Sequence, residues 1–531
     1  MRVLIINLTR FGDLLQTEPV VCGLKAQGHE VGLLCLNNFA TTLPLLRGVD
    51  AAFTLPGNSL LAQLDRDWRT ALASADALIA HIQATFPVDR VYNNTATLAA
   101  RLLARRLSPE GAPILGFGVD AEGFGVSGNV WATFLLGGSQ HREHCPFNIA
   151  DMFRAAAGLA GEPPLGGLNS PSPAVVAASL ELLRALTPAT ALDTAKGHVA
   201  LQLGASAVLR QWPAESFAEV GQHLWDNLRL TPVLLGSEAE KPLADAYAAA
   251  SRHPFVDAVG RTDLMQLAGV LKHCELLISN DTGTMHLAAG LGRPVLGLFL
   301  ATAQPWDTAP YAENCCCLEP ALPCHPCGFG SACPEGLACR GHIPAQTVAA
   351  LAAHFLRTRE WRMPPRHGGE ARVWTTCRDA HGFAALRCLS GHEREPRSRR
   401  LYFQRVLYRQ LIDMLDGQAP DALVDAGQEV AACGLSAPER AELAGVLSQG
   451  AALLRLLAEQ ATLAQRMPQL GARMLATTQH VQELLENCHA LGALAFLWRN
   501  LVQERGGDVA NIRQMALQLA VSFDYFQKQL A

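Results

Sequence analysis

Four short stretches of this chain carry residues whose types and spacing suit the handling of an anionic, oxygen-rich ligand. The most informative is the apolar run Leu276 to Ile278, which stops at Ser279-Asn280-Asp281-Thr282-Gly283-Thr284-Met285-His286 before small residues resume. A strand that ends and gives way to a helix in this manner aims unpaired backbone N–H groups and the positive end of a helix dipole at one point. That is a setting for a diphosphate. Gly283 allows close backbone approach, Thr282 and Thr284 offer hydroxyls, His286 adds a ring nitrogen, and Asp281 is the expected N-cap. A second stretch, Arg10-Phe11-Gly12-Asp13, follows the opening apolar run. There the Asp13 carboxylate could take a proton from a hydroxyl as it turns nucleophilic, or simply cap the next helix. A third, Gly204-Ala205-Ser206 with Arg210 and Trp212-Pro213, combines small residues with a permanently charged planar fork suited to phosphate oxygens. In the fourth, Gly236-Ser237-Glu238-Ala239-Glu240, a carboxylate could accept from ribose hydroxyls or complement a helix dipole.

The elements that must position these groups alternate. Val3–Asn7 and Val31–Leu36 read as strands, Ala51–Leu55 as a fourth element and Arg90–Asn93 as strand-like, separated by helical segments Leu14–Ala26 and Leu61–Phe86. Gly116 to Gly138 reads as loops. Pro163, Pro164, Gly166, Gly167, Pro171 and Pro173 mark a boundary, after which Ala174–Leu186 forms a bridging helix and a second alternating series runs from His198 to Phe299. Strand–helix alternation implies parallel sheets, with ligands at the carboxyl ends of the strands. Cys377–Leu389 reads as a short hairpin. From Arg400 onward, apolar residues recur at three- and four-residue spacing, as in a helical bundle with no catalytic motif. The expected division is residues 1–170, 171–365 with a Cys-rich insertion at 315–340, and an accessory helical domain at 366–531.

At 531 residues the chain exceeds one core, and 49% hydrophobic with 17% charged residues describes a folded rather than a disordered protein. A net charge of −5 offers no basic field for nucleic acid, so an anionic ligand must be held locally. The start Met1-Arg2-Val3-Leu4 lacks the features of a signal peptide. No later apolar stretch reads as long enough to span a bilayer, and a cytoplasmic location is expected. In a reducing compartment clustered cysteines point to metal before disulfide. Cys324, Cys327, Cys333 and Cys339 could hold one tetrahedral zinc or iron ion in a structural role, with Cys315, Cys316, Cys317 and His325 as spare ligands.

The order and wording of the four loops resemble glycosyltransferase family 9, the lipopolysaccharide heptosyltransferases. The matching residues are Phe11-Gly12-Asp13, Gly204-Ala205-Ser206 with Arg210 and Trp212-Pro213, Gly236-Ser237-Glu238-Ala239-Glu240, and Ser279 to Ala289 continuing through Gly292-Arg293-Pro294-Val295. The resemblance implies a GT-B fold of two Rossmann-like domains facing a cleft, here followed by an all-α helical bundle. It also implies metal-independent, inverting transfer of a sugar from a nucleoside diphosphate donor, typically ADP-heptose, to a glycan, lipopolysaccharide or protein. Asp13 would be the general base and Glu240 the ribose contact. Gly12, Ser206, Arg210, Asp281, Thr282, Gly283, Thr284 and His286 would complete the donor site. Arg210 stands where the family often has Lys, and the helical last third is absent from the core-assembly enzymes. A protein-modifying branch that resembles the family carries a comparable iron-binding cysteine finger. No catalytic cofactor is expected, and the bundle is a candidate for self-association or acceptor docking. The competing readings are a nucleotide-sugar epimerase of the same fold and an idle nucleotide-binding scaffold.

Overall fold

The computed structural model describes every residue except 162, 164–166, 365–368 and 418–425. Pro164, Gly166 and the boundary expected at 365/366 therefore lie outside the described residues. The chain divides into two compact units, Met1–Ile114 with Asn148–His392, and Leu115–Phe147 with Glu393–Ala531.

In the first unit, β1 (Arg2–Asn7), β2 (Glu30–Leu36), β3 (Ala51–Leu55) and β4 (Arg90–Asn93) pair in parallel in the order β3-β2-β1-β4. Leu4, Ile6, Leu34, Phe53 and Val91 are buried against helix residues Ile79 and Ile82, as a parallel sheet with a covered face requires. Two helices expected to be continuous are each broken in two. Leu14–Ala26 becomes Phe11–Leu15 and Glu18–Ala26, because Pro19 at the second position starts a new helix. Leu61–Phe86 becomes Gly57–Leu64 and Trp68–Thr85, because Asp67 caps the latter by accepting from the Arg69 N–H.

The hairpin β5 (Leu115–Val119) and β6 (Gly125–Ser127) belongs to the second unit. The first unit resumes with β7 (Gly197–Gln202), β8 (Leu230–Leu235), β9 (Val256–Asp257), β10 (Cys274–Asn280), β11 (Val295–Leu298) and β12 (Cys316–Pro320). It ends with β13 (Ala371–Arg378) and β14 (Ala384–Cys388). These form one sheet ordered β14-β13-β12-β11-β10-β7-β8-β9, parallel from β12 to β9 and antiparallel at the β13–β14 hairpin. The hairpin expected near Cys377 is thus an extension of the second sheet, not the start of the helical domain. Cys388 opposes Trp374 and Cys377 opposes Ala385, so the two cysteines do not face each other. Trp212, Phe217, Leu276, Ile278, Leu298, Leu351 and Phe355 form the core around this sheet.

Both sheets share one topology. The first strand of each series lies between its second and fourth, as β2-β1-β4 and β8-β7-β10. Chain order reverses at β1 and at β7, and a crevice opens at the carboxyl ends of the strands on either side of such a reversal. The loops singled out by sequence leave β1, β7 and β10 at these two crevices. The architecture is the expected pair of Rossmann-like halves with an additional helical region.

The second unit corrects two expectations. Gly116–Gly138 is not merely loop: Asn129 caps a helix, Val130–Gln140, by accepting from the Ala132 N–H. That segment clusters with the C-terminal helices rather than with residues 1–114. Trp131, Phe134 and Phe147 form an aromatic group with Tyr408, Trp131 donates its indole N–H to Asp413 at 2.9 Å, and Asp416 accepts from the Val130 N–H at 2.7 Å. Nor is a membrane-length stretch lacking. Ala437–Ala464 is 28 residues and apolar enough, by length and composition, to cross a bilayer. In the unit it lies along Val509–Leu530, where a β-carbon on Gly450 would come within 2.7 Å of the Phe523 ring, so glycine permits the close approach.

Candidate functional site

The turn after β1 is stapled from within. Asn7, fully buried at the strand end, donates to Thr17 Oγ1 at 2.6 Å and to the Asp13 carbonyl at 3.3 Å, and accepts from the Thr9 N–H at 3.1 Å. Asp13 lies in the first turn of Phe11–Leu15, whose N-cap is Arg10. Its carboxylate is hydrogen bonded by the Arg10 backbone N–H and by Thr9, so it supports the helix start from inside rather than as the N-cap. Burial is the largest influence on its acidity and raises its pKa. The hydrogen bonds and the Arg10 charge pull the other way, and nearby Asp281 adds to the rise. The net upward shift makes the carboxylate a stronger base than a solvated aspartate.

The turn after β10 is organised by a different carboxylate. Asp281 is buried and forms an ion pair with Arg210, which also donates to the Asp281 carbonyl at 3.4 Å and to Ser206 Oγ at 3.2 Å. The N-cap of Gly283–Gly290 is Thr282, without a side-chain cap bond, and not Asp281. The carboxylate expected to cap has been drawn to the guanidinium, which outbids a backbone N–H electrostatically. Asn280 fixes the relation of the two loops: it donates to the carbonyls of Leu203 and Gly204 at 2.8 and 3.3 Å and accepts from the Trp212 N–H at 3.0 Å. Trp212 is itself a core residue whose indole donates to the Ile343 carbonyl.

Two sequence-predicted residues serve the scaffold. Thr284 gives its hydroxyl hydrogen to Gln202 Oε1 at 3.0 Å, turning into the sheet. Glu240 closes a capping box, accepting from the Ser237 N–H at 2.6 Å and Ser237 Oγ at 3.1 Å. Its other carboxylate oxygen presses on Gly204, where a β-carbon would force the Glu240 carboxylate to shift. Thr282 Oγ1 lies 3.3 Å from Ser279 Oγ.

The two joints meet. A β-carbon on Gly12 would lie 3.5 Å from Gly283 Cα and 3.5 Å from His286 Cδ2, and one on Gly283 would strike the Phe11 ring. Two glycines let helix starts from different sheets touch, which brings Asp13, Gly283 and His286 into one neighbourhood. His286 is buried and its Nδ1 has no hydrogen-bond partner among the described residues. Burial holds its pKa down at about 4, with Asp281 raising and Arg210 lowering it, so the ring is neutral at physiological pH.

The four expected metal ligands share one loop without being gathered to coordination distance: among the described residues no group of three or more His, Cys, Asp or Glu side chains is arranged to hold an ion. They are near enough to act on each other. Burial first, and then Cys324, Cys339 and Cys333, push the Cys327 thiol up. Cys333 Sγ accepts from the Leu337 N–H at 3.3 Å, a contact that also suits a thiolate. Of the spare candidates, Cys315, Cys316 and Cys317 are buried in or beside β12. His325 is buried against Glu319, Nδ1 to carboxylate 3.3 Å, with Nε2 bonded to the Ala303 carbonyl. The loop is tied to the site, since Arg340 donates to the Gln211 carbonyl at 2.9 Å, next to Arg210.

Sequence reasoning missed Asn7, Asn280, Gln202 and Arg340. Each is a polar residue at a strand end or loop whose partner is remote in sequence or in an unremarkable position, so no local pattern marks it.

Residues 151–337 match the family model for glycosyltransferase family 9 (heptosyltransferase). Among curated proteins, the chain is 32% identical over 124 residues to lipopolysaccharide heptosyltransferase 1 of Pseudomonas aeruginosa, covering 23% of this chain and 34% of that protein. It is 27% identical over 122 residues to the lipopolysaccharide core heptosyltransferase OpsX of Haemophilus influenzae, covering 23% and 35%. The matched part thus spans about a third of the length of these relatives. Among solved structures, E. coli ADP-heptose lps heptosyltransferase II aligns at 16% identity and TM-score 0.49, over 68% of this chain and 99% of that one. The iron-containing dodecameric glycosyltransferase TibC from enterotoxigenic E. coli aligns at 13% and 0.37, over 67% and 77%.

Proposed function

We propose, on the premise that residues 151–337 are a heptosyltransferase-like segment of glycosyltransferase family 9, that this protein is an inverting glycosyltransferase using a nucleoside diphosphate sugar, with ADP-heptose as donor. The observation that carries the reading is the Gly12–Gly283 approach, which supports Asp13 acting as a base beside the start of Gly283–Gly290. In the proposed reaction an acceptor hydroxyl loses its proton to Asp13 as its oxygen bonds to the anomeric carbon. The bond from that carbon to the diphosphate breaks on the opposite face, so one displacement inverts the configuration. The leaving diphosphate gathers negative charge where the Gly283–Gly290 N–H groups and Arg210 can meet it. Arg210 is held ready by Asp281 and Ser206 in the absence of that charge. His286, neutral, supplies a hydrogen bond without a competing cation.

The acceptor is a hydroxyl of a glycan, a lipopolysaccharide or a protein, and the helical unit offers a surface for docking it or for self-association. The cysteine loop is proposed to take a structural zinc or iron ion on Cys324, Cys327, Cys333 and Cys339, apart from the reacting groups. Elemental analysis after dialysis tests this, and neither metal approaching one per chain removes it.

Calorimetric titration of ADP-heptose beside ADP, UDP and GDP tests the main reading. Preferential ADP-heptose binding supports it. A preference for UDP or GDP keeps a glycosyltransferase and discards heptose, and no binding by any of them sinks the proposal.

A further inference from the structure

The helical unit carries a group of cationic and imidazole side chains that the proposed reaction leaves unused. The helix Pro396–Leu415 sets Arg400, Gln404 and Tyr408 at four-residue spacing on one face. Gln404 and Tyr408 donate to the Ala490 carbonyl at 2.9 and 2.8 Å, so this face holds the turn that contains His489. Arg400 stands one helical turn earlier on the same face. His144 meets His489 from the short turn Arg142–His144, which follows Val130–Gln140. The two rings pack edge to face, 4.7 Å between centroids. Gly492 makes room for them, because a β-carbon there would lie 2.7 Å from His144 Cδ2.

Charge in this group is not balanced. Arg400 is half-buried, its Nε is buried without a hydrogen-bond partner, and it forms no ion pair among the described residues. His144, whose side chain is 12% exposed, likewise has a buried Nδ1 with no partner among them. Arg397 stands close enough to Arg400, and His141 to His144, to disfavour the charged form of each. The nearby carboxylates are committed or too far. Glu439 accepts from the Ser436 N–H at 2.8 Å and from Arg399 at 3.1 Å, and Glu442 faces Cys488. Glu143 Oε1 is 3.6 Å from His144 Nε2, too long for a hydrogen bond. Burial, then His489 and Arg400, hold the His144 pKa down at about 3, and burial and Arg400 lower that of His489. Both rings are therefore neutral at physiological pH, and each can donate one N–H. His489 is exposed, so the group is open to solvent on that side. Buried donors without partners are costly, and an oxyanion would satisfy the guanidinium and the ring nitrogens together.

We propose that Arg400, His144 and His489 form a binding site in the helical unit for a small oxyanion, a phosphoryl or carboxylate group. The site is built without any residue of the four loops, so it stands or falls apart from the sugar-transfer reading.

Calorimetric titration of the full chain with inorganic phosphate and with malonate, at pH 7.5 and low ionic strength, tests the site. Binding of at least one of the two anions is expected. Arg400→Gln should weaken it about tenfold or more, and the surface substitution His489→Ala about threefold or more. Arg400 has no partner to leave behind, so Arg400→Gln should not lower Tm. Stronger binding of phosphate assigns a phosphoryl ligand, and stronger binding of malonate a carboxylate. The titration should survive in Arg210→Met combined with Asp281→Leu, which removes the cation of the loop after β7. The proposal is overturned if the parent protein binds neither anion, or if binding is unchanged in both Arg400→Gln and His489→Ala. It is also overturned if binding is lost with Arg210 and kept without Arg400, which would put the anion at the joint after β10. Should Arg400→Gln fail to fold, unchanged binding by His489→Ala alone overturns it.

Discussion

Two strand-to-helix joints, after β1 and after β10, present the same residue type, an aspartate within two residues of a glycine, and fold it to opposite ends. At the first, Asp13 is braced by the Arg10 N–H and Thr9 but burial prevails, and its pKa is raised. At the second, Asp281 is locked to Arg210 and serves as a latch on the guanidinium. The helix that Asp281 was expected to cap begins at Thr282 instead. The difference lies in what faces each carboxylate. A cation delivered from the β7 loop turns one into a partner, and the other, with no ion pair among the described residues, is left available as a base. An aspartate at such a turn therefore has no chemistry of its own until the opposing loop is known.

The comparison breaks most readily at Asp13. Asp13→Ala should lower kcat by about 10²–10⁴ while ADP-heptose affinity stays within about threefold, by steady-state assay and calorimetry. Equal loss of binding would show that both aspartates are latches. The pH dependence sharpens the point: because the Asp13 pKa is raised, kcat/KM should fall on the acid side at a higher pH than an ordinary aspartate would give, and Asp13→Glu should displace that limb.

The next effect is at the latch. Arg210→Met should weaken donor binding about tenfold to a hundredfold and leave Asp281 buried without its cation, costing roughly 3 kcal/mol of stability. Adding Asp281→Leu should restore stability to near the parent but not donor affinity. If affinity returned too, Arg210 would be no phosphate ligand.

The smallest effect concerns His286. The folded chain holds this ring neutral down to about 4, against 6.5 for an unperturbed histidine. Stability from this group is therefore full above about 6.5 and is lost as pH falls to about 4, by roughly 3 kcal/mol at most. Urea titrations at pH 7 and 4.5 should show a smaller acid loss in His286→Gln than in the parent, and identical losses would contradict the burial argument.

Much of this site was legible because its signals are local. Apolar runs ending at Gly-, Ser- and Asp-rich turns marked β1, β7, β8 and β10, and the loops after them held Asp13, Arg210, Glu240 and Asp281. What did not show depended on distant partners. Thr284 is bonded to Gln202, and Gly116–Gly138 hides a helix whose aromatic residues meet Phe147 and, far along the chain, Tyr408. Periodicity could not show that Pro19 or Asp67 would restart a helix where apolar spacing ran on.

By itself the sequence determined the strands, the turn chemistry and the inventory of charged groups, because hydrophobic period, glycine and proline act over a few residues. Tertiary structure decided the strand orders that place both joints at crevices, the contact of Gly12 with Gly283, the pairing of Arg210 with Asp281, and the burial that makes Asp13 more basic and His286 neutral. Those are properties of desolvation and of partners brought from remote parts of the chain, and neither exists until the sheets have formed.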